Sequence, residues 1–295
     1  MRQFRPLNEQ VVVVTGASSG IGLATALLAA ERGAQVVAIA RSAGVLDELV
    51  QTIGEHGGQA LAVVADVADR AQLEDALRQA LARFGRIDTW VNNAGVAIYG
   101  LLEEVAEQDS RRLFDVNFWG IVNASLLALP HLVSSQGVLV NVGSEASEAV
   151  VPWQGMYSAS KHAVKGFTDG LRIEAEQILK YPIAVVLIQP TAVDTPYPEH
   201  ARNYMREEPK LPPPLIAAER VADAILHAAE HGGRDVKVGM LASANIAVSR
   251  WLPHLADRMS AKRAKTQQQD QPARHPEGTL YQPGESGRVQ GKPAV

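Results

Sequence analysis

Short runs of apolar, largely β-branched residues recur along the chain, each followed by a longer stretch with apolar positions at helical spacing. Val11-Val12-Val13-Val14 is the first such run and Gln35-Val36-Val37-Ala38-Ile39-Ala40 the second. Runs that are apolar at nearly every position suit strands covered on both faces, as in a parallel sheet. The pattern predicts strands near 11–15, 35–39, 59–64, 87–91, 137–142, 183–189 and 235–239. Helices are predicted near 20–32, 43–55, 69–84, 109–134, 155–180 and 217–231. Such alternation marks an α/β, doubly wound parallel sheet of about seven strands with helices on both faces. It continues unbroken to about residue 240, so residues 8–240 read as one domain.

Two stretches stand outside the alternation. Residues 196–216 carry Pro196, Pro198, Pro209, Pro212, Pro213 and Pro214 between the sixth strand and the next helix. In a doubly wound fold that position overhangs the substrate cleft; a lid with Tyr197 and Tyr204 as contacts and a proline-stiffened loop both fit. Beyond the domain, residues 241–259 hold Ile246, Val248, Trp251 and Leu252, which predicts a packing or oligomer helix. Residues 260–295 are polar and rich in Gln, Pro and Gly, the composition of an extended or disordered tail. Its apolar island, Leu280-Tyr281, is a candidate for docking on a neighbouring subunit.

The first strand runs directly into Thr15-Gly16-Ala17-Ser18-Ser19-Gly20-Ile21-Gly22 and then into a helix. A strand, a glycine turn and a helix N-terminus together present backbone N–H groups and a helix dipole to a pyrophosphate. The spacing of Gly16, Gly20 and Gly22 is not the G-x-G-x-x-G fingerprint, so the parallel is one of mechanism. A dinucleotide site often places an acidic residue about 20 positions after the glycines, on the ribose 2′-OH. Here Ala40 stands at that distance, followed by Arg41 and Ser42. A guanidinium grips a 2′-phosphate that a carboxylate would repel, which predicts NADP(H) in preference to NAD(H).

Candidate chemistry lies in the second half. Ser144 precedes Tyr157 by 13 positions, and Lys161 follows Tyr157 by four. On a helix, residues four apart share a face, so Tyr157 and Lys161 project side by side. The expectation is that the ammonium favours the phenolate and lowers a pKa of about 10. A hydroxyl, a phenol and an ammonium so placed suit proton transfer accompanying hydride transfer. Val150, Val151, Trp153 and Met156 surround the pair and predict an apolar substrate pocket, with Glu145 an acidic group at its mouth.

These motifs, with Asp66-Val67, Asn92-Asn93-Ala94-Gly95 and Asn117 in order between them, resemble the short-chain dehydrogenase/reductase family over about residues 8–240. The resemblance implies a Rossmann-type fold and a nicotinamide dinucleotide cofactor. It further implies Tyr157 as general acid in reduction and base in oxidation, and Ser144 as donor to the substrate oxygen. Lys161 would hold the nicotinamide ribose and depress Tyr157, and Asn117 would anchor a water that relays protons to Lys161. The glycine turn (Gly16, Ser18, Ser19, Gly20, Ile21, Gly22) would carry the pyrophosphate, and Asp66 with Val67 the adenine. Asn93, Ala94, Gly95, Pro190 and Thr195 would line the cofactor cleft, and Arg41, Ser42 and Ser18 would surround the 2′-phosphate. Val151, Trp153, Tyr197 and Glu145 are the substrate candidates. The chain departs from the family pattern at Thr191, where glycine is usual after the sixth strand, and at Gly143, a place often held by serine.

The reaction expected is interconversion of a ketone or aldehyde with a secondary alcohol. A 3-oxoacyl thioester reductase is the rival within the class, although no basic patch for an acidic carrier is evident. From another class, a nucleotide-sensing protein without turnover is disfavoured because Ser144, Tyr157 and Lys161 are all present. Homodimers or homotetramers through the helices at 109–134 and 155–180 are expected from the family. A formal net charge of −4 gives no footprint for nucleic acid. Zero cysteines exclude disulfides and thiolate metal sites, and His227 and His231 lack the company that would make them a metal pair. No apolar run approaches the ~20 residues of a membrane span, and the N-terminal residues lack a signal peptide's apolar core. The default expectation is a soluble cytoplasmic protein.

Overall fold

The computed structural model describes residues 4–284 and 287–292. Its centre is one all-parallel sheet of seven strands: β1 (Val11–Thr15), β2 (Gln35–Ala40), β3 (Gln59–Val64), β4 (Thr89–Asn92), β5 (Val138–Val142), β6 (Ala184–Pro190) and β7 (Asp235–Val238). The spatial order is β7-β6-β5-β4-β1-β2-β3. The chain winds one way from β1 to β3, then restarts beside β1 and winds the other way. The crevice at the carboxyl ends of β1 and β4 is therefore the topological switch point, where ligands bind in such sheets.

The alternation of strand side chains explains the two layers. Val12, Val14 and Val36 face one side, under α1 (Gly20–Glu31), α2 (Ala43–Glu55) and, farther along, α7 (Ala218–His231). Val11, Val13 and Val37 face the other, under α3 (Arg70–Phe84), α5 (Gly120–Ser135) and α6 (Gly155–Arg172). Each valine of β1 is at most 1% exposed, a burial worth about 1.5–3 kcal/mol per side chain. The expected helix at 109–134 begins as α4 (Glu107–Phe114) and joins α5 through a wide π-helical turn, Asp115–Trp119. This continuous run from Glu107 to Ser135 has the length and apolarity of a membrane span, yet half of its apolar window is buried in the fold.

At the opposite end of the sheet from the crevice, Asp88 is 3% exposed and accepts a hydrogen bond from the Val11 N–H at 2.9 Å. Arg86 and Arg5 pair with the same carboxylate. This knot fixes the start of β1 against β4, and with it the direction in which both strands deliver their loops.

The C-terminal third differs from expectation. The helix predicted at 241–259 is two helices, Met240–Trp251 and Pro253–Arg263, because Pro253 cannot continue the first one. The polar residues after 260 do not form a free tail: Gln268–Pro272 pairs antiparallel with Glu207–Pro209. Leu280 is fully buried in the layer under α3 and α5, and Tyr281 donates to Asp109 Oδ1 at 2.9 Å. The apolar island thus docks on its own chain. Residues 196–216 are likewise held by paired backbone, with Arg202–Asn203 beside Ile98–Tyr99 and Ile216–Ala217 beside Val193–Asp194. Tyr204 packs over the Gly100 turn and donates to Asp109, away from the cleft.

Candidate active site

The glycine turn closes on itself. Gly16 and Gly20 have φ of +69° and +52°, the left-handed region that glycine enters freely. A Cβ on Gly22 would lie 2.1 Å from the Gly16 carbonyl oxygen and 2.5 Å from Asn93 Nδ2. Asn93 Nδ2 donates to the Thr15 carbonyl, and Thr15 Oγ1 accepts from the N–H groups of Asn93 and Ala94. The ends of β1 and β4 are thereby tied into one wall. Gly16, Ser18, Ser19, Gly20 and Ile21 line a continuous cleft of about 280 Å³ that runs past Asn93, Ala94 and Gly95 to Ser144, Tyr157 and Lys161. Pro190, Thr195, Val67 and Asp66 border it too, whereas Gly22 acts from behind as the residue that lets the turn close. A glycine cradle feeding α1 fits a dinucleotide pyrophosphate.

At the other end of the cleft, Ser144 follows β5 and caps the turn Glu145–Ser147. Its Oγ accepts from the Ala146 N–H, and Ser147 Oγ accepts from the Ser144 N–H. A side chain on Gly143 would come within 2.9 Å of Ser147 Oγ, so the missing serine at 143 goes with this reciprocal cap. Thr191, the other departure, fills space beside Gly239, where a Cβ would meet its Cγ2 at 2.3 Å. Tyr157 and Lys161 share the face of α6 that the spacing predicted, with Nζ 5.6 Å from the phenol ring centroid.

The expected depression of Tyr157 by Lys161 is not what the surroundings produce. Burial raises the Tyr157 pKa; the neighbouring hydroxyls of Ser144 and Tyr197 lower it, and the Glu145 charge raises it again. Lys161 is 4% exposed, and burial pushes its own pKa down to about 8. Its Nζ donates to the Val142 carbonyl at 2.9 Å rather than to the phenol. Asn117, expected to anchor a relay water, is fully buried. Its amide is spent on Val96, accepting from the N–H at 2.8 Å and donating to the carbonyl at 2.9 Å, with a further bond to Ser160 Oγ. The side chain therefore pins the strand after β4 to α6, and does not line the cleft.

At the end of the cleft bordered by Arg41 and Ser42, the chain's own C-terminal residues come in. Arg41 Nη2 donates to the carbonyls of Thr279 (2.5 Å) and Gln282 (3.1 Å), and Nη1 to that of Leu280 (3.4 Å). Ser42 Oγ donates to the Gly284 carbonyl at 2.6 Å, and the Gly20 N–H to that of Arg288 at 2.9 Å. Asp66 pairs with Arg112 and lies 4.0 Å from Arg41, while Asp69 caps α3. The pairing of Arg41 and Ser42 with a 2′-phosphate thus has a competitor in the same polypeptide.

Of the substrate candidates, Glu145, Val151 and Tyr197 line the cleft and Trp153 does not. Trp153 sits at φ +60°, a strained conformation for a bulky residue, and its carbonyl accepts from the Gly100 N–H. The sequence reading missed Gln154 and Gln267, buried amides that line the cleft and bond to each other at 2.9 Å. His227 and His231 stack 4.2 Å apart on the surface of α7, with no third metal ligand near them among the described residues.

The short chain dehydrogenase family model matches residues 10–205. An uncharacterized oxidoreductase of Bacillus subtilis, YxnA, is 42% identical over 263 residues, 88% of this chain and 74% of that one. The 11-beta-hydroxysteroid dehydrogenase A of Sesamum indicum is 34% identical over 239 residues, 77% of this chain and 67% of its own. Among solved structures, a short chain dehydrogenase/reductase from Burkholderia phymatum in complex with NAD superposes with a TM-score of 0.75. It is 26% identical and is matched over 86% of this chain and 96% of that chain. An alcohol dehydrogenase from Thermococcus sibiricus complexed with 5-hydroxy-NADP gives 0.67 at 25% identity, over 78% and 94%.

Proposed function

The chain belongs to the short chain dehydrogenase family, and from that premise we propose an NADP(H)-dependent oxidoreductase that interconverts a hydrophobic ketone and its secondary alcohol. The observation that carries the reading is the convergence of Ser144, Tyr157 and Lys161 at one end of the cleft whose other end is the Gly16–Gly22 turn. The cofactor, when bound, supplies or accepts the hydride. Tyr157 gives its proton to the carbonyl oxygen in reduction and takes it back in oxidation. Ser144 Oγ donates to the same oxygen as charge gathers there, the logic of an oxyanion hole. Lys161, fixed by the Val142 carbonyl, would hold a ribose hydroxyl through its ammonium.

Absence of a carboxylate at the end of β2, with Arg41 and Ser42 in its place, supports NADP(H). Val151, Leu211 and Pro212 at the substrate end support an apolar substrate, as does likeness to a relative named for a hydroxysteroid. We read the protein as a cytoplasmic homo-oligomer that buries Trp119 and Leu126, now 51% and 46% exposed at the head and on the outer face of α5. Loss of the reduced-nicotinamide absorbance with a panel of cyclic and aryl ketones tests the activity. Wild type should turn over at least one of them, and Tyr157→Phe should lose about 10²-fold or more. Turnover by Tyr157→Phe at the wild-type rate would overturn the assignment.

A further inference from the structure

Of the two hydroxyls that lower the Tyr157 pKa, those of Ser144 and Tyr197, the second is itself held by a hydrogen bond to a buried amide. The Tyr197 ring packs edge-on against that of Tyr157, with centroids 5.5 Å apart at 68°. Its hydroxyl donates to Gln154 Oε1 at 2.8 Å. Gln154 Nε2 donates to Gln267 Oε1 at 2.9 Å, and Gln267 Nε2 to the Pro152 carbonyl at 3.0 Å. The two amides are 4% and 3% exposed.

The direction of this chain is fixed from its far end. A carbonyl only accepts, so Gln267 must turn its NH₂ to Pro152 and its oxygen to Gln154. Gln154 must then present its own NH₂ to Gln267 and its oxygen to Tyr197. Tyr197 has a single proton, and the amides draw it away from Tyr157. Its oxygen can then only accept from the phenol, a pairing that favours the protonated form of Tyr157. When Tyr157 gives up its proton, the phenolate becomes the stronger acceptor, and the Tyr197 proton can turn to it at the cost of the bond to Gln154.

We propose that Tyr197, polarised by Gln154 and Gln267, is a positioning residue that sets the proton affinity of Tyr157 by dividing one hydroxyl proton between two acceptors. The inference rests on the reading of Tyr157 as the proton carrier. Tyr99 from the short strand Ile98–Tyr99, Glu145 from the turn after β5 and Lys161 from α6 are the other ionisable groups around the pair among the described residues. They are unchanged in every variant below.

Tyr197→Phe removes a donor to the phenolate and should raise the midpoint of Tyr157 by about one to two pH units, the worth of a hydrogen bond to a charged acceptor. Gln154→Leu does the opposite: it removes the competing acceptor, releases the Tyr197 proton to Tyr157 and should lower the midpoint. Gln267→Leu lets the Gln154 amide turn its NH₂ toward Tyr197 and should act in the same direction, which provides a second variant if the first fails to fold. The six tyrosines can be labelled at Cζ with ¹³C and titrated by NMR, with Tyr157 assigned by its absence from Tyr157→Phe. Midpoints in the order glutamine variants, wild type, Tyr197→Phe are expected; coincident midpoints or any other order overturn the proposal. If Tyr157→Phe keeps ketone reductase activity, the reading of Tyr157 fails, while the titration order still judges Tyr197 by itself.

Discussion

Replacing Arg41 by alanine tests how the cofactor is chosen, because the proposed grip on a 2′-phosphate competes with bonds this side chain already makes within the chain. Its guanidinium donates to the carbonyls of Thr279, Leu280 and Gln282. A bound 2′-phosphate would replace neutral acceptors by charged ones. A hydrogen bond to a neutral group contributes about 0.5–1.5 kcal/mol and one to a charged group about 1.5–3. The net gain for a phosphate is then about 1 kcal/mol per bond, or about 2 kcal/mol for a paired grip, which corresponds to a preference of about 30-fold for NADPH over NADH. Without the competing carbonyls the same arithmetic would give a much larger ratio. Arg41→Ala should therefore weaken NADPH about 30-fold and leave NADH within a few-fold of wild type. Quenching of intrinsic tryptophan fluorescence, or calorimetry with each nucleotide, reads both constants directly. Equal weakening of the two nucleotides would refute the reasoning, for it would make Arg41 a brace for residues 279–282 and nothing more.

Three further outcomes follow from the packing. Lys161→Met should raise the unfolding temperature at pH 7 while removing activity, since a buried ammonium with its pKa near 8 opposes folding. The unfolded lysine titrates near 10.5 and so holds more protons than the folded one between those values; wild-type stability then rises from about pH 8 to 10.5, and the advantage of the variant shrinks over that window. An advantage that instead grows with pH there would contradict the burial argument. Gly22→Ala should abolish nucleotide binding or lower the melting temperature by several degrees, because its Cβ has 2.1 Å to the Gly16 oxygen; wild-type binding and stability together would count against the closed turn. Asp88→Ala, which leaves the buried Val11 N–H and Arg86 without their acceptor and Arg5 with Glu9 alone, should cost about 1–3 kcal/mol in urea unfolding and leave the nucleotide constants unchanged.

How much of this was visible in the sequence depends on where each signal resides. The strands were legible because both faces are covered, and a doubly covered strand writes its burial into every position, as Val11 to Val14 do. The glycine turn and the Tyr157–Lys161 face were legible because each depends on spacing along one element. The C-terminal crossing was not. It is held by carbonyls of Thr279, Leu280, Gln282 and Gly284, and a backbone acceptor has no letter of its own. Polar composition there suggests the absence of a core, although a single buried side chain, Leu280, is enough to seat it. Trp153 failed for a local reason, since a positive φ turns its side chain away from the cleft that its neighbours line.

The largest discrepancy concerns the acid itself, and it carries a physical lesson. Spacing alone puts an ammonium beside a phenol and invites the conclusion that charge lowers the phenol's pKa. Burial acts on both groups at once, and against the charged form of each: it raises Tyr157 and lowers Lys161. At 5.6 Å from the ring and bonded to Val142, the lysine makes no bond to the phenolic oxygen. What remains to favour a phenolate is the pair of neighbouring hydroxyls, Ser144 and Tyr197, which lower the Tyr157 pKa. In the proposed reaction Ser144 also serves the substrate oxygen, so its proton would be committed elsewhere. Tyr197 is then the donor whose proton is free to follow the charge, and the two buried amides behind it determine how readily it does so.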